Sequence, residues 1–198
     1  MNDYDSQFSS DEIISPKSAQ SSLITNSFEW AEALITSLIA VVILFTFLFR
    51  VVNVSGPSML PNLQSNDRVV LSSYFYKPHR GDVVVITHTQ KLTEPIIKRV
   101  IALENQTVNI NAQTGMVSVD GVVLDESAYI ENGITQPSAY TFPLTVPKGH
   151  VFVLGDNREV SNDSRSIDVG MIDERYILGK AEMIIFPFDR FGMINKRK

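Results

Sequence analysis

The chain has 198 residues, 44% of them hydrophobic and 20% charged, with a formal net charge of -5 and no cysteine. That length holds one membrane anchor and one domain with its own core, and the acid excess leaves no basic stripe for nucleic acid. Without cysteine there are no disulfides, thiolate nucleophiles or cysteine zinc sites, and His79, His88 and His150 are too scattered for a metal-ligand spacing, so no cofactor is expected.

From the N-terminus, residues 1–27 are polar, rich in Ser, Asn, Gln and acids without periodicity, and read as a disordered tail. Residues 28–50 read as a transmembrane anchor. Within them Ala33 to Phe49, ALITSLIAVVILFTFLF, is uncharged and bounded by Glu32 and Arg50. Seventeen residues rise about 25 Å as a helix, the short end for crossing a bilayer, and Trp30 stands where an interfacial aromatic belongs. A helix buried in a protein core would carry a polar stripe, which this segment lacks. No basic leader precedes it and no A-x-A follows, so the anchor reads as uncleaved. Lys17 on one side and Arg50 on the other leave its orientation undecided by charge.

Residues 51–198 read as a mainly β, mostly antiparallel domain, partly barrel-like. RVVLSSYFY (68–76), DVVVITH (82–88), PIIKRVIAL (95–103), TVNINAQTGMVSVDGVVL (107–124) and HVFVLGD (150–156) are β-branched runs broken by turn residues. NAQTGMVSVDG predicts a hairpin with Gly115 near its tip and a second turn at Asp120-Gly121. Residues 105–147 form a smaller hairpin and insertion subregion, irregular over 125–147 where Pro137, Pro143 and Pro147 limit regular structure. A short turn is expected near Asp173 to Tyr176.

Three stretches carry candidate chemistry. In SGPSMLPNL, Gly56, Pro57 and Pro61 hold the backbone rigid around the Ser58 hydroxyl. G-P-S-M-L is not G-x-S-x-G and no S-x-x-K occurs, so the hydrolase-elbow and penicillin-binding templates fit poorly. A serine–histidine triad would draw on His88 or His150, for which exposure at a strand end is the plainer reading. Lys98 is the other possible base. Strand alternation puts it on one face with Ile96 and Val100, and Arg99 on the other with Ile97 and Ile101. Burial would lower its pKa, and a neutral amine can take a proton from a serine hydroxyl. The competing reading is an edge lysine that buries only its stem. The third stretch, GDNREVSNDSR from Gly155 to Arg165, can form a hydrogen-bonded corner with an Asp163–Arg165 ion pair, although each residue alone is ordinary for a surface turn.

In this order the three stretches resemble the type I signal peptidases, membrane-bound Ser/Lys endopeptidases that remove leader peptides. The resemblance runs from the anchor to about Pro187. SGPSMLPNL resembles the nucleophile motif, with Ser58, Met59 and Pro61 at matching positions. RGDVVVI (80–86) resembles the next strand, and IIKRVIAL the general-base strand with Lys98 and Arg99. GDNREVSNDSR resembles the last motif, with Gly155, Asp156, Asn157, Arg158, Ser161, Asp163, Ser164 and Arg165. The resemblance implies that Ser58 attacks the scissile carbonyl, Lys98 serves as base and then acid, and Ser161 hydrogen-bonds the lysine. It has Asp163, Arg165 and Arg99 bracing the site, and the Ser58 N–H meeting the oxyanion. Some members carry a serine two residues before the nucleophile; Gly56 stands there, as in the Gram-positive branch, and the second oxyanion donor is unassigned. Ala102 to Gln106 departs from the family's Gly-Leu-Pro-Gly-Asp turn, and SRSIDVG from its aromatic-glycine step.

The implied partners are exported preproteins with signal peptides and the lipid bilayer, with the catalytic domain on the extracytoplasmic side of the cell membrane. An extended leader would add as a strand to an exposed edge, small pockets accepting small residues one and three positions before the cut. IIFPFDRFGMI (184–194) reads equally as a lipid contact or as C-terminal packing. Two other classes stay in view: a self-cleaving Ser/Lys repressor, against which the anchor argues, and a catalytically inactive membrane-anchored binding module.

Overall fold

β-Branched runs separated by Gly, Asn and Pro favour extended backbone with alternate side chains turned to a core, and the computed structural model of the chain shows that arrangement. It describes residues 28–43, 49–73, 76–130, 135–136 and 139–194; the tail read over 1–27 lies outside the described residues. The chain divides into two units, Met1–Thr46 and Phe47–Lys198.

In the first unit, residues 28–43 form a helix, α1, exposed along its length, Trp30 included. Among the described residues no helix is long and apolar enough to cross a membrane. The span expected over Ala33 to Phe49 is therefore not seen as one element. α1 opens on a turn bearing Glu29 and Glu32 and reaches Ile43, and residues 44–48 lie outside the described residues.

Among its described residues the second unit has twelve strands: β1 (Phe49–Asn53), β2 (Arg68–Ser72), β3 (Val83–Ile86), β4 (Ile96–Ala102), β5 (Thr107–Ile110), β6 (Val117–Val119), β7 (Val122–Val123), β8 (Leu144–Thr145), β9 (His150–Leu154), β10 (Ile172–Asp173), β11 (Ile177–Phe186) and β12 (Gly192–Met193). Every pairing is antiparallel. One sheet runs β1-β2-β11-β3-β4-β9-β10 with β12 on β11, and a second runs β7-β6-β5-β8. The large sheet is open, with β1 and β10 at its ends, and bulges in β11 and between β4 and β9 bend it.

The cores follow the register. Met59 and Leu63 pack with Val69, Leu71, Val83, Val85 and Ile184. Val84, Ile86, Val100 and Val153 form another cluster. Val108, Val117 and Val119 of the small sheet pack on Ile101, Phe152 and Leu154, seating that sheet on β4 and β9. At the β6–β7 turn Asp120 (φ 53°) and Gly121 (φ 81°) both take left-handed backbone, as a two-residue hairpin of this hand requires. The turn expected near Asp173 is a single 3-10 turn, Glu174–Tyr176, whose Arg175 N–H is accepted by the Asp173 carboxylate.

β11 is the longest strand and escapes the sequence reading, as does β12. ILGKAEMIIF mixes Gly, Lys and Glu into an apolar run, and the bulges break its two-residue alternation. The stretch 184–194 splits both ways. Ile184 and Ile194 are core residues, whereas Phe186, Phe188 and Phe191 stand exposed.

Candidate active site

The segment between β1 and β2 is a short Ω-type loop. Val54 N–H donates to the Asp67 carbonyl at 2.8 Å and Asn66 N–H to the Val54 carbonyl at 2.9 Å, which closes its ends. Met59 and Leu63 are buried beneath it, and a cis bond joins Leu60 to Pro61. Arg190 pairs with Asp67 at 2.9 Å and donates to the Asn62 carbonyl. The apolar side chains and this ion pair pin the loop from below, leaving Ser58 half-buried at its surface. Gly56 supplies a φ of 87° that a residue with a Cβ rarely adopts. Its N–H is held by Ser65 Oγ at 3.0 Å, and Pro57 has none. Among the described residues the Ser58 N–H has no acceptor.

β4 brings Lys98 to this loop. The residue is 3% exposed, and its Nζ lies 2.8 Å from Ser58 Oγ and donates to the Ile97 carbonyl at 2.9 Å. Burial pushes the amine from 10.5 to about 8, while the carboxylates of Asp163 and Asp156 keep it from falling further. The edge-lysine reading does not survive that burial. A cleft of about 110 Å³ opens beside the two groups, walled by Val52, Ser55, Val85, Ile96 and Ile97.

The loop after β9 braces both partners. Asn157 N–H donates to the Ser58 carbonyl at 3.0 Å and its side chain to the Pro57 carbonyl at 3.3 Å. Arg99 grips Asp156 with two bonds of 2.7 Å, donates to the Gly81 carbonyl and lies over the Tyr129 ring. Asp163 pairs with Arg165 at 2.7 Å and accepts the Gly155 N–H at 3.0 Å, and Arg165 reaches the Arg158 carbonyl. Ser164 Oγ accepts the Val153 N–H. Arg158, with no exposed side-chain surface, grips the Glu126 carboxylate and the Thr135 hydroxyl.

One expected contact is absent. Ser161 Oγ is buried and makes no hydrogen bond, to Lys98 or to anything else in the described residues. Its side chain is turned onto the Cα of Gly155 and fills the space a β-carbon would take there. The Lys98 amine is engaged instead by Ser58 and Ile97. That packing makes Gly155→Ala a test. The added methyl would stand 2.5 Å from both the Ser58 carbonyl oxygen and Ser161 Cβ. A thermal melt should show a loss of about 1–3 kcal/mol; an unchanged melt would contradict the packing.

The histidines play no part in this geometry. His88 stacks on Tyr176 and His150 bonds the Lys148 carbonyl; neither is among the groups bonded to Ser58 or Lys98. Sequence reasoning missed Asn62, Glu126 and Tyr129. Asn62 donates to Asp156 and to the Tyr129 carbonyl, and Tyr129 Oη donates to Glu126. A polar residue among Leu60, Pro61 and Leu63 is a signal that could have flagged Asn62; nothing in the sequence marks the other two.

A family model and two similar chains agree on one family. Residues 27–186 match the family model described as signal peptidase, peptidase S26. The chain is 36% identical over 173 residues to a probable signal peptidase I-1 of Synechocystis sp., covering 82% of this chain and 84% of that one. It is 32% identical over 172 residues to a signal peptidase I of Bacillus licheniformis, covering 82% and 90%. A solved signal peptidase I from Enterococcus faecalis V583 is 28% identical with a TM-score of 0.44, covering 54% of this chain and 98% of that chain.

Proposed function

The chain belongs to the signal peptidase family, peptidase S26, and from that membership we propose that it is a membrane-anchored serine endopeptidase that removes leader peptides from exported preproteins. The observation that carries the choice of nucleophile and base is the 2.8 Å approach of Lys98 Nζ to Ser58 Oγ, with the amine buried. The apolar run that begins at Ala33 and ends before β1 serves as the anchor, holding the catalytic unit on the extracytoplasmic face, near substrates that are themselves in the membrane.

A pKa of about 8 leaves the amine neutral in roughly one molecule in ten at pH 7. In that form Nζ accepts the Ser58 proton as Oγ attacks the scissile carbonyl carbon. The electron pair moves onto the carbonyl oxygen, which faces the unengaged Ser58 N–H. The ammonium returns its proton to the leaving nitrogen as the C–N bond breaks, leaving an ester on Ser58. Water gives a proton to the regenerated amine as it attacks the ester carbon. The ammonium returns that proton to Ser58 Oγ as the acyl C–O bond breaks, freeing the acid and restoring the hydroxyl. β1 is a sheet end, so its outer edge can receive an extended peptide. The small volume of the cleft, about 110 Å³, suits small side chains before the cut.

The test is a quenched peptide with alanine one and three positions before the bond: the wild type should cut it and Ser58→Ala should not. Because only the neutral amine acts, kcat/KM should rise about tenfold per pH unit below a midpoint near 8 and level off above it. A profile flat from pH 6 to 9 would remove Lys98 as the base.

A further inference from the structure

One buried side chain that moves no proton is committed to both sides of the site. Asn62 is 7% exposed and lies four residues after the nucleophile, in the same Ω-loop. Its Nδ2 donates to Asp156 Oδ2 at 2.8 Å and to the Tyr129 carbonyl at 2.7 Å. An amide nitrogen carries two hydrogens, so both are used. Its main-chain carbonyl accepts Arg190 Nη2 at 3.2 Å. The Ser58 loop is thus fastened at one point to the loop after β9 and to the insertion, regions far apart in the sequence.

Resting on the peptidase reading, we propose that Asn62 is a positioning residue: it locks the Ser58 loop against Asp156 and the Tyr129 backbone, fixing both the aim of the hydroxyl and the field that Asp156 exerts on Lys98. The residue type matters. A threonine, serine or leucine here cannot offer two N–H groups in one plane, and an aspartate would turn acceptors toward two acceptors. Asn157 fastens the same loop only through the Pro57 and Ser58 carbonyls, one step from the hydroxyl, and leaves Asp156 untouched.

The electrical role follows from the groups packed around the pair. Asp156 is faced by Arg99 from β4, by Asn62 from the Ω-loop and by the Arg158 charge in its own loop. Lys98 is faced by Ser58 and by two carboxylates that both favour its charged form, Asp163, paired with Arg165, and Asp156, paired with Arg99. The Asn62 N–H offsets part of the Asp156 charge. Without it the carboxylate acts more strongly on the amine, holds the ammonium form, and moves the point at which the base becomes available to higher pH.

The experiment compares wild type, Asn62→Ala and Asn62→Asp as full chains in detergent on the quenched alanine peptide. Asn62→Ala should lose about tenfold in kcat with KM within about twofold, since a nucleophile loop released by a fraction of an ångström loses alignment rather than affinity. Its acid limb should move to higher pH, and Asn62→Asp should lose about tenfold more than the alanine variant. Wild-type kcat and an unmoved limb in Asn62→Ala would overturn the proposal, as would losses that merely follow the folded fraction in a melt. If the alanine variant does not fold, Asn62→Thr carries the same comparison. A second readout needs no cleavage: the pH dependence of Lys98 acetylation by acetic anhydride, followed by mass spectrometry. A midpoint raised in Asn62→Ala supports the link even if the wild type cuts no leader peptide, an outcome that would sink the peptidase reading alone. An unchanged midpoint overturns the link whatever the cleavage result.

Discussion

Lys98→Met is expected to lose cleavage by a thousandfold or more, about the cost of removing an essential base, and to melt at a higher temperature than the wild type at pH 7. The two effects share one cause. The folded amine has a pKa of about 8, against 10.5 when unperturbed, so folding favours loss of its proton. The unfolded chain therefore binds more protons between those two values, and wild-type stability rises with pH across that window. Below pH 8 the penalty is present in full, about 3 kcal/mol from the size of the shift. Methionine has a similar length and no charge, so it removes the penalty. The gain should be largest at pH 7 and vanish above pH 10.5. Melts of Lys98→Met and wild type at pH 7 and pH 10 measure it, and equal melting temperatures at pH 7 would show that the amine is not desolvated. Ser58→Ala should match the loss of cleavage without the gain in stability.

Asp156→Ala carries the largest expected destabilisation. The side chains of Arg99 and Asp156 are 4% and 1% exposed and joined by two bonds of 2.7 Å. Removing the acid leaves a guanidinium buried without its counter-charge, at a cost of about 3–5 kcal/mol. For a chain of this size that lowers the melting temperature by about 10 °C. Asp156 also raises the Lys98 pKa, so activity remaining in the variant should have its acid limb at lower pH, opposite to Asn62→Ala. The exposed Lys91–Asp168 pair is the control. Its separation is also 2.7 Å, but its side chains are 64% and 46% exposed, and Lys91→Ala should cost under about 1 kcal/mol. A fall for Asp156→Ala no larger than that of the control would mean the buried pair is not structural.

What the sequence revealed and what it hid divide along physical lines. β4 was legible because a β-branched run has a two-residue period, and a lysine inside such a run stands out as expensive to bury. The Asp163–Arg165 pair was legible because its members are two residues apart. β11 was not, since bulges at Ala181/Met183 and Ile184/Phe186 interrupt its alternation. Asn62 was hidden because its bonds reach Tyr129 and Asp156, 67 and 94 residues on. Local pattern carries no trace of such partners. Ser161 lacks the hydrogen bond to Lys98 that the sequence led one to expect: a hydroxyl can turn to either side, and here it fills the space beside a glycine that has no side chain of its own.

The grip of Arg158 on Glu126 has a consequence for how such a chain can change over time. The guanidinium is sealed from water, so it cannot outlive its carboxylate without heavy loss. The segment from Asp125 onward is then no free cassette. A chimera that swaps it for one of another length must import an acid at the matching place or surrender the arginine, and substitutions at these two positions should be inherited together.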